Sequence, residues 1–74
     1  MEKVIAILKD LHPEVDFNTC TTLIDDAILD SLDIVTTIAE LSDAFDIAIP
    51  PNEIIKENFN SAKTLYEMVL RLQG

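Results

Sequence analysis

The 74-residue chain is predicted to be all-α, a small antiparallel four-helix bundle of three main helices and one short helix. Three observations predict this fold. Apolar residues recur at helical spacing in three separate segments. No segment shows a convincing strand pattern, and an apolar content of 49% suits a helical domain of this length. We expect residues 1–74 to form a single domain.

The first and last helices follow from apolar periodicity. In residues 2–11, Val4, Ile7, Leu8 and Leu11 fall on one face. Pro13 ends this helix, because the residue before a proline is biased away from the helical region. Ser61 is predicted to cap the last helix. The predicted inner face of that helix consists of Ala62, Leu65, Met68, Val69 and Leu72.

The second helix follows a stretch of turn-type residues, 13–30, which is longer than most loops in small domains. We expect four apolar residues to pin this loop to the core: Val15, Phe17, Leu23 and Ile24. Asp30 or Ser31 is predicted to cap the helix, and the pattern fades at Asp46. The predicted inner face consists of Ile34, Val35, Ile38, Leu41 and Phe45, and the outer face of Asp33, Thr36, Thr37, Glu40 and Asp43. Leu32 and Ala39 fall at the border.

The remaining segment, 51–60, is expected to hold the short helix. Pro51 suits the first position of a helix that runs to about residue 55. Residues 58–60 are of turn type, so a tight turn is expected there.

Composition argues against several classes of function. One glycine, no tryptophan and an isolated Cys20 and His12 leave no group of residues that suggests catalysis or a metal site. A net charge of −9 excludes nucleic-acid binding and favours basic protein partners. No apolar run reaches the roughly 18 residues of a membrane span, and no leader opens the chain. We therefore expect a cytoplasmic, monomeric protein that is not an enzyme and does not insert into membranes.

One motif at the start of the second helix points to chemistry. Leu29-Asp30-Ser31-Leu32-Asp33 follows the long loop, and the helix ends in Phe45-Asp46-Ile47 before Ile49-Pro50. With Leu23-Ile24-Asp25-Asp26 upstream, the order and spacing resemble the acyl carrier protein family over essentially the whole chain. The resemblance implies that a phosphopantetheinyl transferase attaches 4′-phosphopantetheine, taken from coenzyme A, to Ser31. The phosphopantetheine arm of such a phosphoprotein carries an acyl or aminoacyl group as a thioester.

The resemblance also implies a docking face for the transferase and for an adenylating ligase or other acyl-transfer enzymes. The residues at matching positions are Asp30, Leu32, Asp33, Thr36, Ala39, Glu40 and Asp43. The residues alone allow an ordinary helix start, and an unmodified acidic helical adaptor for a basic partner is the alternative function.

Some positions depart from carriers of fatty-acid synthesis. Thr36, Thr37 and Ser42 stand where such carriers often have acids, and Ala27-Ile28-Leu29 lacks the glycine that many relatives have before the serine. The chain looks closer to stand-alone carriers with a dedicated ligase, such as D-alanyl carrier proteins. Core positions predicted at Val35, Ile38, Phe45, Ile54, Ile55 and Phe59 indicate a tightly filled interior. We therefore expect a small cargo that rides outside the bundle.

Overall fold

The computed structural model describes residues 2–74, which form a small bundle of α-helices. Its elements are α1 (Glu2–Leu11), α2 (Ser31–Phe45), a 3-10 helix (Pro51–Glu53), α3 (Lys56–Phe59) and α4 (Ala62–Gln73). Helix α1 packs against α2 and α4, and α4 also packs against α2 and α3. The all-α prediction is confirmed, with three main helices and a short α3. Within residues 2–74, no helix has the length and apolar character needed to cross a bilayer.

The core lies between the three main helices and is closed by the loop that joins α1 to α2. Phe17 and Leu23, both predicted to pin this loop, are buried, while Val15 and Ile24 are half-buried against the core. Leu29, the first residue of the motif that runs from Leu29 to Asp33, is buried as well. The buried apolar residues are Val4, Leu8, Phe17, Leu23, Leu29, Leu41, Phe59, Ala62, Leu65, Met68 and Val69.

The inner face of α2 differs from the predicted one at two positions. Val35 is 62% exposed, whereas Thr37 is completely buried. Leu41 is fully buried, and Thr37 lies one turn before it on the same side of the helix. The Thr37 hydroxyl donates to the Asp33 carbonyl oxygen at 2.7 Å, so its burial leaves no unpaired polar group. Placing Val35 inside and Thr37 outside was therefore wrong.

The C-terminal end of α2 and the start of α4 follow from capping residues. Asp46 ends α2 in the left-handed region at φ 53°, and its backbone N–H donates to the Ser42 carbonyl oxygen. Ser61 caps α4 as predicted: its Oγ accepts from the Thr64 N–H at 3.1 Å, and Thr64 Oγ1 accepts from the Ser61 N–H at 3.3 Å. The first cap ends α2 at Phe45, before Pro50 and Pro51, and the second begins α4 at Ala62.

The segment between α2 and α4 is only partly as predicted. The helix that begins at Pro51 is a 3-10 turn ending at Glu53, and Asn58 and Phe59 lie in α3 rather than in a tight turn. Asn58 Nδ2 donates to Glu53 O at 2.7 Å, and Arg71 donates to Glu53 Oε1 at 2.8 Å, which ties the segment to α4. Ile54 and Ile55 are 40% and 46% exposed, so their placement in the core was wrong.

Candidate functional site

The candidate site is the first turn of α2, and its N-cap is Asp30. Asp30 has extended backbone angles, and its Oδ1 accepts from the Asp33 N–H at 2.8 Å. The Asp30 N–H donates back to Asp33 Oδ2 at 3.4 Å, which completes a reciprocal capping box. Sequence reasoning left Asp30 and Ser31 open as caps, and the structure selects Asp30.

Ser31 is the first residue of α2, and its hydroxyl takes no part in this cap. The residue is exposed, as are Asp30 before it and Leu32 after it, the latter by 72%. The first turn of a helix presents backbone N–H groups without intrahelical partners and the positive end of the helix dipole. A phosphate ester on Ser31 therefore fits this position, because the turn favours negative charge and the serine is accessible.

His12, which the sequence analysis treated as isolated, contacts this turn. Its Nε2 lies 2.7 Å from Asp33 Oδ2, and its Nδ1 lies 3.3 Å from Glu14 Oε1. The Asp33 hydrogen bond raises the pKa of His12 despite partial desolvation, and Glu14 adds to the increase. The same bond lowers the pKa of Asp33. Interpreting His12 as isolated was wrong: the packing of α1 on α2 joins residues 21 positions apart.

The His12 ring does not bond the serine. Within residues 2–74, the hydrogen bonds of its two nitrogens go to Glu14 and Asp33. A serine hydroxyl is a weak nucleophile unless an adjacent base activates it. The hydrogen bonds of the His12 ring therefore hold the Asp33 carboxylate rather than the Ser31 hydroxyl.

The turn that leads into the site is fixed to the junction of α3 and α4. Asn60 Oδ1 accepts from the N–H groups of Ile24 at 2.9 Å and Asp25 at 3.2 Å, and the Asn60 carbonyl oxygen accepts from Leu23 N–H. Lys56 Nζ lies 2.9 Å from Asp25 Oδ1. These bonds hold residues 23–25 at a defined place, six to eight residues before the serine. The sequence marked none of them, because each joins residues more than 30 positions apart.

The predicted docking residues divide into two groups in the structure. Asp30, Leu32, Ala39, Glu40 and Asp43 are exposed. Thr36 is half-buried, and so is Asp33, whose carboxylate is held by His12 and the Asp30 N–H. Sequence reasoning missed Val35, which lies exposed one helical turn after Leu32.

An apolar cleft opens beside this face, between α2, the loop and α3. It has a volume of about 120 Å³ and is lined by Ile24, Ile34, Ile54, Ile55, Lys56 and Phe59. For comparison, an engineered apolar cavity of about 150 Å³ holds one benzene molecule. The cleft therefore has room for a group of a few carbons.

Comparison with known proteins identifies the family. The family model described as "Phosphopantetheine attachment site" matches residues 2–69. The chain belongs to this family. A D-alanyl carrier protein of Lactococcus lactis subsp. cremoris is 42% identical over 43 residues, and the chain spans about half of its length: the match covers 58% of this chain and 54% of that protein. A D-alanyl carrier protein of Streptococcus sanguinis is 35% identical over 73 residues, covering 97% of this chain and 92% of that protein. No solved structure gives a significant match.

Membership makes the chain a non-catalytic carrier whose cofactor is covalently attached 4′-phosphopantetheine. Carriers of this family work with transferases and ligases. The predicted resemblance, including the likeness to D-alanyl carrier proteins, is confirmed, as are the predicted cofactor and non-catalytic role. The serine at the start of α2 fits the cofactor, since the residue is exposed and Asp30, not Ser31, caps the helix.

Proposed function

We propose that the chain tethers an acyl or aminoacyl group as a thioester on a phosphopantetheine arm at Ser31 and presents it to partner enzymes. The proposal includes a single carrier domain over residues 1–74, acting as a monomer in the cytoplasm. The main supporting observation is that Ser31 is exposed at the first position of α2 while Asp30 caps the helix.

The chain's own residues contribute position and charge. The Asp30–Asp33 capping box fixes the turn from both sides of Ser31. The positive end of the α2 dipole at this turn favours the negative charge of a phosphate ester on Ser31. When attached, the arm supplies a terminal thiol that holds the cargo. Tethering then raises the effective concentration of the cargo at each partner.

Partner enzymes are proposed to dock on α2 around Ser31. Leu32, 72% exposed, and Val35, 62% exposed, supply apolar area at the centre of this face. Asp30, Glu40 and Asp43 supply exposed negative charge, which steers basic partners and suits the net charge of −9. Ala39 and Thr36 complete the face. Asp33 contributes less free charge than the sequence suggested, because His12 lies against its carboxylate.

We propose a small cargo, an amino acid or a short acyl group, activated by an adenylating ligase. Two observations support this. The chain is 35% identical, over 97% of its length, to a protein named D-alanyl carrier protein. The cleft beside the site has a volume of about 120 Å³, which is room for a few carbons.

Transfer of phosphopantetheine in vitro tests the proposal. The wild-type chain, Ser31→Ala and the matched control Ser42→Ala are incubated with coenzyme A and a phosphopantetheinyl transferase, and intact masses are measured. Wild type and Ser42→Ala are expected to gain one phosphopantetheinyl group each, and Ser31→Ala none. All three should remain helical, because Ser31 does not cap α2. A wild-type chain that gains no mass would support the unmodified adaptor instead.

A further inference from the structure

We propose that His12 is a positioning residue for the attachment serine, holding the Asp30–Asp33 turn through the Asp33 carboxylate with a strength that depends on its protonation. This inference rests on the proposed attachment at Ser31. It adds a residue from α1's end to a site otherwise built from α2 and the loop before it.

A continuous set of polar contacts links His12 to the residue that precedes the serine. His12 Nε2 lies 2.7 Å from Asp33 Oδ2, and that same oxygen accepts from the Asp30 N–H at 3.4 Å. The longer bond depends on where the carboxylate sits. Without His12, the Asp33 side chain loses its shortest contact and becomes free to rotate away from the Asp30 N–H.

The imidazole is itself fixed in place. The backbone N–H of His12 donates to the Leu8 carbonyl oxygen at 2.9 Å, which places the residue directly after the last turn of α1. Its neighbour Pro13 restricts the backbone that follows. The His12 and Asp33 side chains are only 23% and 21% exposed, so the contact is partly shielded from water. The contact between His12 and Asp33 therefore links the end of α1 to the first turn of α2.

Protonation decides how many of these contacts His12 can make. The imidazolium ion donates hydrogen bonds from both ring nitrogens, to Glu14 and to Asp33. Neutral imidazole has a single N–H, so it can donate to only one of these two carboxylates. The charged groups around it are Glu14 from the loop, Asp33 from α2 and Lys9 from α1, whose Nζ donates to the Pro13 carbonyl oxygen at 3.4 Å. The C-terminal end of α1 also favours a cation.

The sign of the pH effect follows from the two pKa directions. The pKa of His12 is raised from its ordinary value of 6.5, so its contribution is complete below pH 6.5 and is lost as the pH rises through the raised value. The pKa of Asp33 is lowered from 3.8, so its contribution is complete above pH 3.8 and is lost on further acidification. The contact between His12 and Asp33 is therefore strongest between pH 3.8 and 6.5.

The test compares wild type with His12→Gln, which keeps a neutral donor, and His12→Ala, which keeps none. Amide chemical shifts of Asp30, Ser31 and Asp33 are followed by NMR from about pH 5 to about pH 9, around the histidine pKa. In wild type these three amides are expected to titrate with the midpoint of the His12 ring. In His12→Gln that transition disappears from the folded protein. Glu14→Gln, which alters only the outer contact, retains the transition at a lower midpoint.

Transferase kinetics supply a second readout. At about pH 6, His12→Ala is expected to raise the transferase's KM for the carrier about two- to fivefold, with little change in kcat. This factor corresponds to the usual contribution of a partly exposed ion pair. His12→Gln restores part of the loss, and the difference from wild type shrinks as the pH rises. If His12→Gln and His12→Ala had the same amide shifts and the same KM as the wild type at every pH, the positioning role would be overturned. A wild-type chain that accepts no phosphopantetheine would overturn the proposed function instead, and the NMR comparison would still decide whether His12 holds the turn.

Discussion

Replacing Ala27 with glycine should stabilise the chain, against the usual effect of adding a glycine. Ala27 has a φ of 55°, in the left-handed region, where a Cβ costs about 1–2 kcal/mol. Its side chain is exposed, so the substitution removes no packing. Glycine loses about 0.5–1 kcal/mol through the greater freedom of the unfolded chain. The central values of these two ranges differ by about 0.75 kcal/mol, which is the expected net gain. For a domain of this size it raises Tm by about 3–6 °C.

The assay is thermal unfolding followed by circular dichroism, with Ala6→Gly as the matched control. Ala6 is also exposed but lies inside α1, where glycine costs about 1 kcal/mol relative to alanine. The two substitutions should therefore shift Tm in opposite directions. A lower Tm for Ala27→Gly, matching that of Ala6→Gly, would refute the backbone argument.

Two further predictions concern docking and cargo. Leu32→Ala should weaken association with the transferase about 5–30-fold, the equivalent of one or two kcal/mol of lost apolar contact, measured by surface plasmon resonance. Leu70→Ala, 48% exposed beside Phe45 at the far end of α2, should change association little, and equal losses in both would contradict the proposed face. A short acyl group loaded on the arm should perturb at most the amides of Ile54 and Ile55 beside the cleft. A long chain should perturb no core amides, and large shifts at Leu41 or Leu65 with the long chain alone would show that the core opens.

Local signals predicted the parts of the fold that depend on local chemistry. The proline after α1, the Ser61 cap of α4 and the acidic start of α2 each determine backbone structure within a few residues, and all three are found where predicted. Phe17 and Leu23 were predictable as loop anchors, because large apolar residues in a polar stretch have few other places to be buried.

The errors arise where the polarity of a residue does not decide its burial, or where its partner lies far along the chain. Thr37 looked like an outer residue from its polarity, but its hydroxyl bonds the carbonyl four residues earlier and is then free to be buried. Ile54 and Ile55 looked like core residues, but the ties from Glu53 to Asn58 and Arg71 hold their segment so that both remain exposed. The contact between His12 and Asp33 has no local signature, because it exists only once α1 has packed on α2.

The most direct test of the central claim is to locate the modified residue in the unmutated protein. The chain contains three serines, Ser31, Ser42 and Ser61, of which Ser61 is buried as the cap of α4. Wild-type protein is treated with coenzyme A and a phosphopantetheinyl transferase, and fragment masses are measured by tandem mass spectrometry. The account predicts one phosphopantetheinyl group, with every fragment that contains Ser31 carrying the added mass. Added mass on fragments that lack Ser31, or no added mass on the folded chain, would contradict it.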